Sequence, residues 1–353
     1  MTYDFEFQRI SSFIDQHNIS FLALQFPEGL VKFATSIASL IEHQNPSVTC
    51  LTMVDDCYGA CCLEDRLALS MGIQGFVHFG HSQLFHSPLI PCLYIKTLIP
   101  SSAIATNPVF ISLLNETSSQ IKNIYPDITH IFLSSTTQFT ALAVHVDNYL
   151  SSLGYSVDRP KCSPHLSDSE CLGCTNSIKK GYKNALYLFL GDGSFHLEAL
   201  SMVDPSARVA RLDPVNFSFK FMNYDGNKLL EQRKSLFHKF QTRPCTFGVV
   251  VSTLGRQGSF SVSKRLCELS RKSHHLFHQV SVRDVSSDFL SSFEILDGII
   301  LIGCPRLALD WGSEFSVPIL TAFEAFCLLD GKDLDSIPMD NFSECGGPWS
   351  NLF

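Results

Sequence analysis

The stretch VDDCYGACCLED, residues 54 to 65, sets Cys57, Cys61 and Cys62 within six positions, just after the apolar run CLTM. So much sulfur in one turn suits three kinds of chemistry: a disulfide, a local metal knuckle, or one ligand of a site whose other ligands come from far along the chain. Cys171 and Cys174 form a CxxC, and with Cys57 and either Cys61 or Cys62 they could make a four-thiolate zinc site. The distance between those two pairs is much longer than in zinc ribbons. Thirteen cysteines in 353 residues, behind an N-terminus MTYDFEFQRI with neither a signal-like apolar core nor an Arg-rich transit pattern, point to a reducing, cytoplasmic setting. Disulfides are disfavoured there. Cys50, Cys92, Cys245, Cys267, Cys327 and Cys345 lie in apolar or plain surroundings and read as small core residues.

Other turns carry candidate chemistry. STLGRQGS, residues 252 to 259, follows the apolar run FGVVV and opens a helix whose backbone N–H groups could face an anion, though a tight strand-to-helix turn needs no ligand. LGDGSF at 190 and PEG at 27 stand at strand ends of the same kind. His78 and His81 in VHFGHS either shape a site or are ordinary hydrogen-bonded histidines. No Ser-His-Asp order or paired-carboxylate motif stands out. The net charge of −8 disfavours a phosphate-backbone binder, and no run approaches the roughly 18 apolar residues of a membrane span.

The elements that must position these residues are legible as short apolar runs: FLALQF at 21, CLTMVDD at 50, GFVHFG at 75, HIFLSS at 130, ALYLFLGDG at 185, FGVVVSTLG at 247 and GIILIGC at 298. Continuous rather than alternating, they read as parallel strands covered on both faces. The helical period between them is clearest in PEGLVKFATSIASLIE, where Leu30, Phe33, Ile37, Leu40 and Ile41 share a face. Strand, turn and helix in repetition predict an α/β fold with right-handed crossovers. Cys61, Cys174 and Cys304 sit in turn-like peptides separated by 174 − 61 = 113 and 304 − 174 = 130 residues, about one domain apiece. SSAIATNPVF at 101 and VNFSFKFMNYDGNK at 215 are the candidate breaks.

YGACC followed by the acids Glu64 and Asp65, then GFVHFGHS, LGCTN with YLFLGDGSFHLEA, STLGRQGS, GCPRLALDWG with PILTAFE, and PMDNFSECGGPW together resemble the diphthamide synthesis family in its subunit 1 branch. The resemblance runs in order from LALQFPEGL at 22 nearly to the end of the chain. It implies three related Rossmann-like domains, 1–108, 109–222 and 223–353, arranged around a central 4Fe-4S cluster held by Cys61, Cys174 and Cys304. It implies non-classical radical chemistry, in which S-adenosylmethionine is cleaved to release a 3-amino-3-carboxypropyl fragment. That fragment is joined to an imidazole carbon of one histidine on translation elongation factor 2, the first step of diphthamide formation. Three thiolates on four irons leave one metal corner open for the methionine part of the cofactor.

The resemblance further implies a paralogous subunit or a second copy as dimer partner, and a small electron-donor protein. Arg256, Gln257, Gly258 and Asp192 become its candidate cofactor contacts. Arg306, beside Cys304, could donate to a carboxylate or to cluster sulfurs, or simply make a salt bridge. Cys62 matches a second cysteine of the family motif, but consecutive side chains point apart, so packing is its default role. Cys57 and Cys171 lie outside the pattern, and each could substitute for its neighbour. VRDVSSDFLSSF at 282 to 293 replaces a more apolar family stretch. A quinolinate synthase-like cluster enzyme and a non-catalytic paralogous subunit are the alternatives; the full run of motifs argues against the first and the complete cysteine trio against the second.

Overall fold

The structure, a computed structural model, describes residues 3–54, 57–85, 87–176, 181–293, 295–343 and 346–352. Cys345 lies outside them. Among the described residues, thirteen strands build three sheets. The first holds β1 (Phe21–Gln25), β2 (Thr49–Met53), β3 (Gly75–Phe79) and β4 (Cys92–Ile95) in the order β2-β1-β3-β4, all parallel. The second holds β5 (His130–Ser135), β6 (Ser156–Asp158), β7 (Ala185–Leu190), β8 (Arg208–Asp213) and β9 (Ser218–Phe221) in the order β6-β5-β7-β8-β9. Only its pairing of β8 with β9 is antiparallel. The third holds β10 (Thr246–Ser252), β11 (Leu276–Val282), β12 (Gly298–Ile302) and β13 (Ile319–Thr321) in the parallel order β11-β10-β12-β13. Counted within its own sheet, each follows one plan, 2-1-3-4, with β9 appended to the middle one. This is the α/β fold of three related Rossmann-like units expected from the sequence.

All seven apolar runs are strands, and six of them (β1, β3, β5, β7, β10 and β12) occupy interior positions in their sheets. Their uninterrupted hydrophobicity follows from helices on both faces. Leu22 and Leu24 of β1 pack into one core while Ala23 between them packs into another. In the middle sheet Ile131 and Leu133 face one way and Phe132 the other. In the third, Val249 and Val251 oppose Val250.

Several expectations change in detail. PEGLVKFATSIASLIE is two helices, Glu28–Val31 and Ala34–Gln44, with the chain turning at Lys32 and Phe33. The helical period restarts at Ala34, so Ala34, Ile37 and Ile41 face inward and Leu40 is 45% exposed. The candidate break at 101 contains the helix Ser101–Ala105 and the start of Pro108–Ile124, capped by Asn107. Ile99 and Ile104 already pack into the middle core. The segment at 215 contains β9 and the capping Asp225 of the helix Gly226–Gln241. The cysteine rhythm is also uneven in register. Cys61 and Cys174 lie between the second and third strands of their units, whereas Cys304 follows the third strand of its own.

The third unit is braced by one buried ion pair. Arg233 Nε donates to Glu324 Oε1 at 2.7 Å and its Nη2 to the carbonyl of Ile319 at 2.7 Å, while Glu324 also forms a capping box with Thr321. Removing one partner strands a charge away from water, so Arg233→Ala should cost about 3–5 kcal/mol. The measurement is the urea unfolding midpoint; an unchanged midpoint would contradict the role assigned to the pair.

Candidate cluster site

Three turns bring the expected cysteines together. Cys61 lies in the 3-10 turn Ala60–Cys62 after β2, Cys174 in the loop between β6 and β7, and Cys304 at the N-cap of the helix Pro305–Asp310 after β12. All three are partly exposed, while Cys57, Cys62 and Cys171 are buried. Each of the three is nonetheless deep enough for burial to act on its thiol, and Cys304 lines a cleft. Burial pushes Cys174 up to about 12, the nearby Cys304 adding to the rise. Burial likewise raises Cys304, against the pull of the Arg306 and Leu307 backbone N–H groups. Cys61 is raised first by its hydrogen bond with Cys62, then by burial, then by the thiols of Cys62, Cys174 and Cys304. Thiols from three sheets therefore sense one another.

Three sets of buried or partly buried polar groups hold these turns in place. Arg256 Nε donates to Asp65 Oδ1 at 2.9 Å, the Arg256 backbone N–H donates to the Cys61 carbonyl at 2.7 Å, and the Gly255 N–H donates to Glu64 at 2.9 Å. The first and third units are thereby joined at the Cys61 turn. Arg306, 3% exposed, reaches from the third unit into the second: its Nη2 donates to Glu198 at 2.8 Å and its Nη1 to the Phe195 carbonyl at 2.6 Å, while Asp310 takes its Nε. It also stacks over the Phe195 ring at 4.1 Å. Glu170, 1% exposed, accepts from Ser82 of the first unit at 2.7 Å and from Thr137 and the Ser167 N–H of the second. Near the C-terminus, the Asn341 N–H donates to the Cys174 carbonyl at 3.1 Å and the Phe342 N–H to Thr175 at 3.0 Å, stitching down the Cys174 turn.

The structure divides the expected cofactor contacts. Gln257 lines a cleft of about 380 Å³ together with Cys304, Tyr58, Phe195, Arg283 and Trp311, and its amide donates to Cys62 Sγ at 3.4 Å. Arg256 is engaged by Asp65 and is not part of that lining. Gly258 is a packing requirement, since a Cβ there would stand 2.2 Å from the Ser252 carbonyl oxygen. Asp192 is exposed at the end of β7 and away from the cleft wall. Arg306 both lines the cleft and makes the salt bridges described above. Cys171 faces the core beside Cys162, and Cys57 groups with His78 and His81, so the four-thiolate knuckle does not assemble. Glu170, Thr175 and Arg283 were not singled out in the sequence. Arg283 belongs to the divergent segment at 282, which supplies Arg283, Asp284 and Val285 to the lining.

The donor set fits a cluster better than a single ion. Among the described residues, the ligand atoms of Cys61, Cys174 and Cys304 do not all lie within 4.8 Å of one another. A mononuclear site needs tighter convergence, whereas thiolates on separate irons of a cubane stand further apart. Burial disfavours the free thiolates, so loading must supply compensating positive charge and release protons.

The family model described as putative diphthamide synthesis protein matches residues 26–337. The 2-(3-amino-3-carboxypropyl)histidine synthase subunit 1 of Nematostella vectensis is 35% identical over 351 residues, covering 98% of this chain and 72% of that protein. The protein of the same name from Homo sapiens is 31% identical over 358 residues, covering 99% and 77%. Dph2 from Pyrococcus horikoshii with a 4Fe-4S cluster matches with a TM-score of 0.80 at 24% identity, over 99% of this chain and 96% of that one, a likeness of fold.

Gly255 tests the docking of the turns. At φ 53°, it would place a Cβ 2.5 Å from the Cys62 carbonyl carbon. Gly255→Ala should therefore destabilise the protein by about 1–3 kcal/mol and lower its iron content after reconstitution. Wild-type iron content and melting temperature in this variant would contradict the tight contact.

Proposed function

Because this chain belongs to the diphthamide synthesis protein family, we propose that it is the cluster-bearing subunit of a 2-(3-amino-3-carboxypropyl)histidine synthase. The proposed substrates are S-adenosylmethionine and one histidine of translation elongation factor 2. The observation that carries this reading is the meeting of three partly exposed thiols, one from each α/β unit, beside one cleft. Cys61, Cys174 and Cys304 would hold the 4Fe-4S cluster, and three protein ligands suit a cluster that must also receive a substrate. When bound, that group supplies the electron for non-classical cleavage of a C–S bond in S-adenosylmethionine.

The chain's own residues do the positioning. Gln257 offers an amide at the cleft wall, while Arg283 and Arg306 are paired there with Glu64 and with Glu198 and Asp310, so they would orient a methionine moiety through hydrogen bonds rather than supply unbalanced positive charge. Arg256 and Gly258 act one step back, by keeping the turn that carries Gln257 seated on Cys61. Tyr58, Phe195 and Trp311, one from each unit, are 75%, 46% and 54% exposed at the cleft. Their rings suit an adenine and a substrate imidazole. A paralogous subunit or second copy, and a small electron-donor protein, complete the proposed system.

The division into 1–108, 109–222 and 223–353 is kept as a proposal, supported by sheets whose strands each fall within one span. Among the described residues no helix is long and apolar enough to cross a membrane.

Anaerobic incubation with reductant, S-adenosylmethionine and elongation factor 2 should yield methylthioadenosine and a modified histidine; deoxyadenosine as the nucleoside product would indicate a different reaction. Cys61→Ala, Cys174→Ala and Cys304→Ala should each lose cluster iron and activity, and Cys171→Ala should keep most of both. Full activity in any one of the first three variants would overturn the ligand assignment.

A further inference from the structure

Beside the cleft, and not part of its lining, lies a second set of ligating side chains. Cys57, His78 and His81 each present a ligand atom within 4.8 Å of the other two, and among the described residues no other three such groups do so. Cys57 is 7% exposed, and its thiol has only a marginal contact, 4.0 Å to the Gly59 carbonyl. His78 is fully buried on β3, while His81 is partly exposed. Gly80 between them adopts φ 79°, a left-handed turn that folds His81 back towards His78.

Hydrogen bonding fixes which nitrogen of His78 is available. The Cys62 carbonyl can only accept, so the Gln25 group 2.9 Å from it must be the amide Nε2. Gln25 Oε1 is then the atom facing His78 Nδ1 at 2.9 Å, which places the His78 proton on Nδ1. His78 Nε2 therefore directs a lone pair at His81 Nδ1, 3.0 Å away. Two nitrogens bound at 2.0–2.1 Å to a tetrahedral ion stand about 3.3 Å apart, so the pair needs to open slightly and the rings to turn until both lone pairs meet at the ion.

We propose that Cys57, His78 and His81 form a mononuclear site for a borderline-soft divalent cation, with Zn²⁺ the best-fitting class, distinct from the thiol trio of the cleft. His78 coordinates through Nε2, with Gln25 holding its Nδ1–H as an outer hydrogen bond. Loading releases the Cys57 thiol proton to solvent and moves the His81 Nδ1 proton to Nε2, with no change of oxidation state. The mixed N₂S set selects against hard, oxygen-seeking ions such as Mg²⁺ and Ca²⁺.

The test uses the full chain, reconstituted anaerobically with iron and sulfide and then titrated with Co²⁺ as a spectroscopic substitute for zinc. Wild type should take up one cobalt per chain with a thiolate-to-cobalt absorption band. Cys57→Ser and His81→Asn should each weaken that uptake at least about ten-fold, with iron content unchanged. Cys174→Ala and Cys304→Ala, which dismantle the cleft trio, should retain the cobalt. Loss of cobalt in Cys174→Ala with retention in Cys57→Ser would place the ion at the cleft cysteines and overturn the proposal; so would failure of the wild type to bind any cobalt. The readout is metal uptake, so a failed synthase assay leaves this result interpretable, and a failed cobalt titration leaves the proposed synthase function untouched.

Discussion

A site assembled from three separate sheets needs buried charge at its seams. Apolar packing could hold the units together in several slightly different registers, because dispersion and burial are not directional. Arg256 on Asp65, Arg306 on Glu198 and Glu170 on Ser82 are directional, and each lies next to a cysteine-bearing turn or belongs to one. Taking these groups out of water cancels much of their mutual attraction, so their main effect is to select one arrangement rather than to add stability. Losing Asp65 or Glu198 would leave an arginine without its carboxylate, and losing Ser82 would leave Glu170 one donor short. These pairs hold the turns that carry Cys61, Cys174 and Cys304.

The same pairs explain which parts of the molecule the sequence showed and which it hid. Interior strands covered on both faces mostly spell themselves as unbroken apolar runs, which is why β1, β3, β5, β7, β10 and β12 were legible along with the edge strand β2; interior β8, RVARLD, is interrupted by Arg208 and Arg211. The remaining strands are mostly short or wet: β6 and β13 have three residues each, and much of β11 is exposed. Their pattern resembles that of loops. The cysteine-bearing turns were visible as motifs, and the acids Glu64 and Asp65 were visible beside one of them. Their partner Arg256 lies 191 residues beyond Asp65, a pairing that no local pattern can disclose. Arg256 is a candidate cofactor contact through the likeness of its glycine-rich turn to the family; in the structure its side chain is engaged by Asp65. Asp192 sits in a similar turn that faces outward.

Register was also hidden. The near-equal cysteine spacing suggested equivalent positions in three repeats, yet Cys304 sits one strand later in its unit than Cys61 and Cys174 do in theirs. Repeated units that meet around one point need not use the same loop, because each presents several strand ends to the centre and only one has to reach it.

Spacing then separates the two proposed ligand sets, which lie within a few residues of each other. The thiols of the cleft trio stand too far apart for one ion, whereas Cys57, His78 and His81 lie within 4.8 Å. Gln25 joins the two places physically: one end of its amide holds the Cys62 carbonyl and the other sets the His78 tautomer. Gln257 reaches Cys62 from the opposite domain and also lines the cleft. Cys62 is wholly buried and aligned with neither metal set, so its backbone and thiol tie the two together. A shift in the imidazole pair would reach the Cys61 turn through two hydrogen bonds, the shortest route by which the occupancy of one site can bear on the geometry of the other.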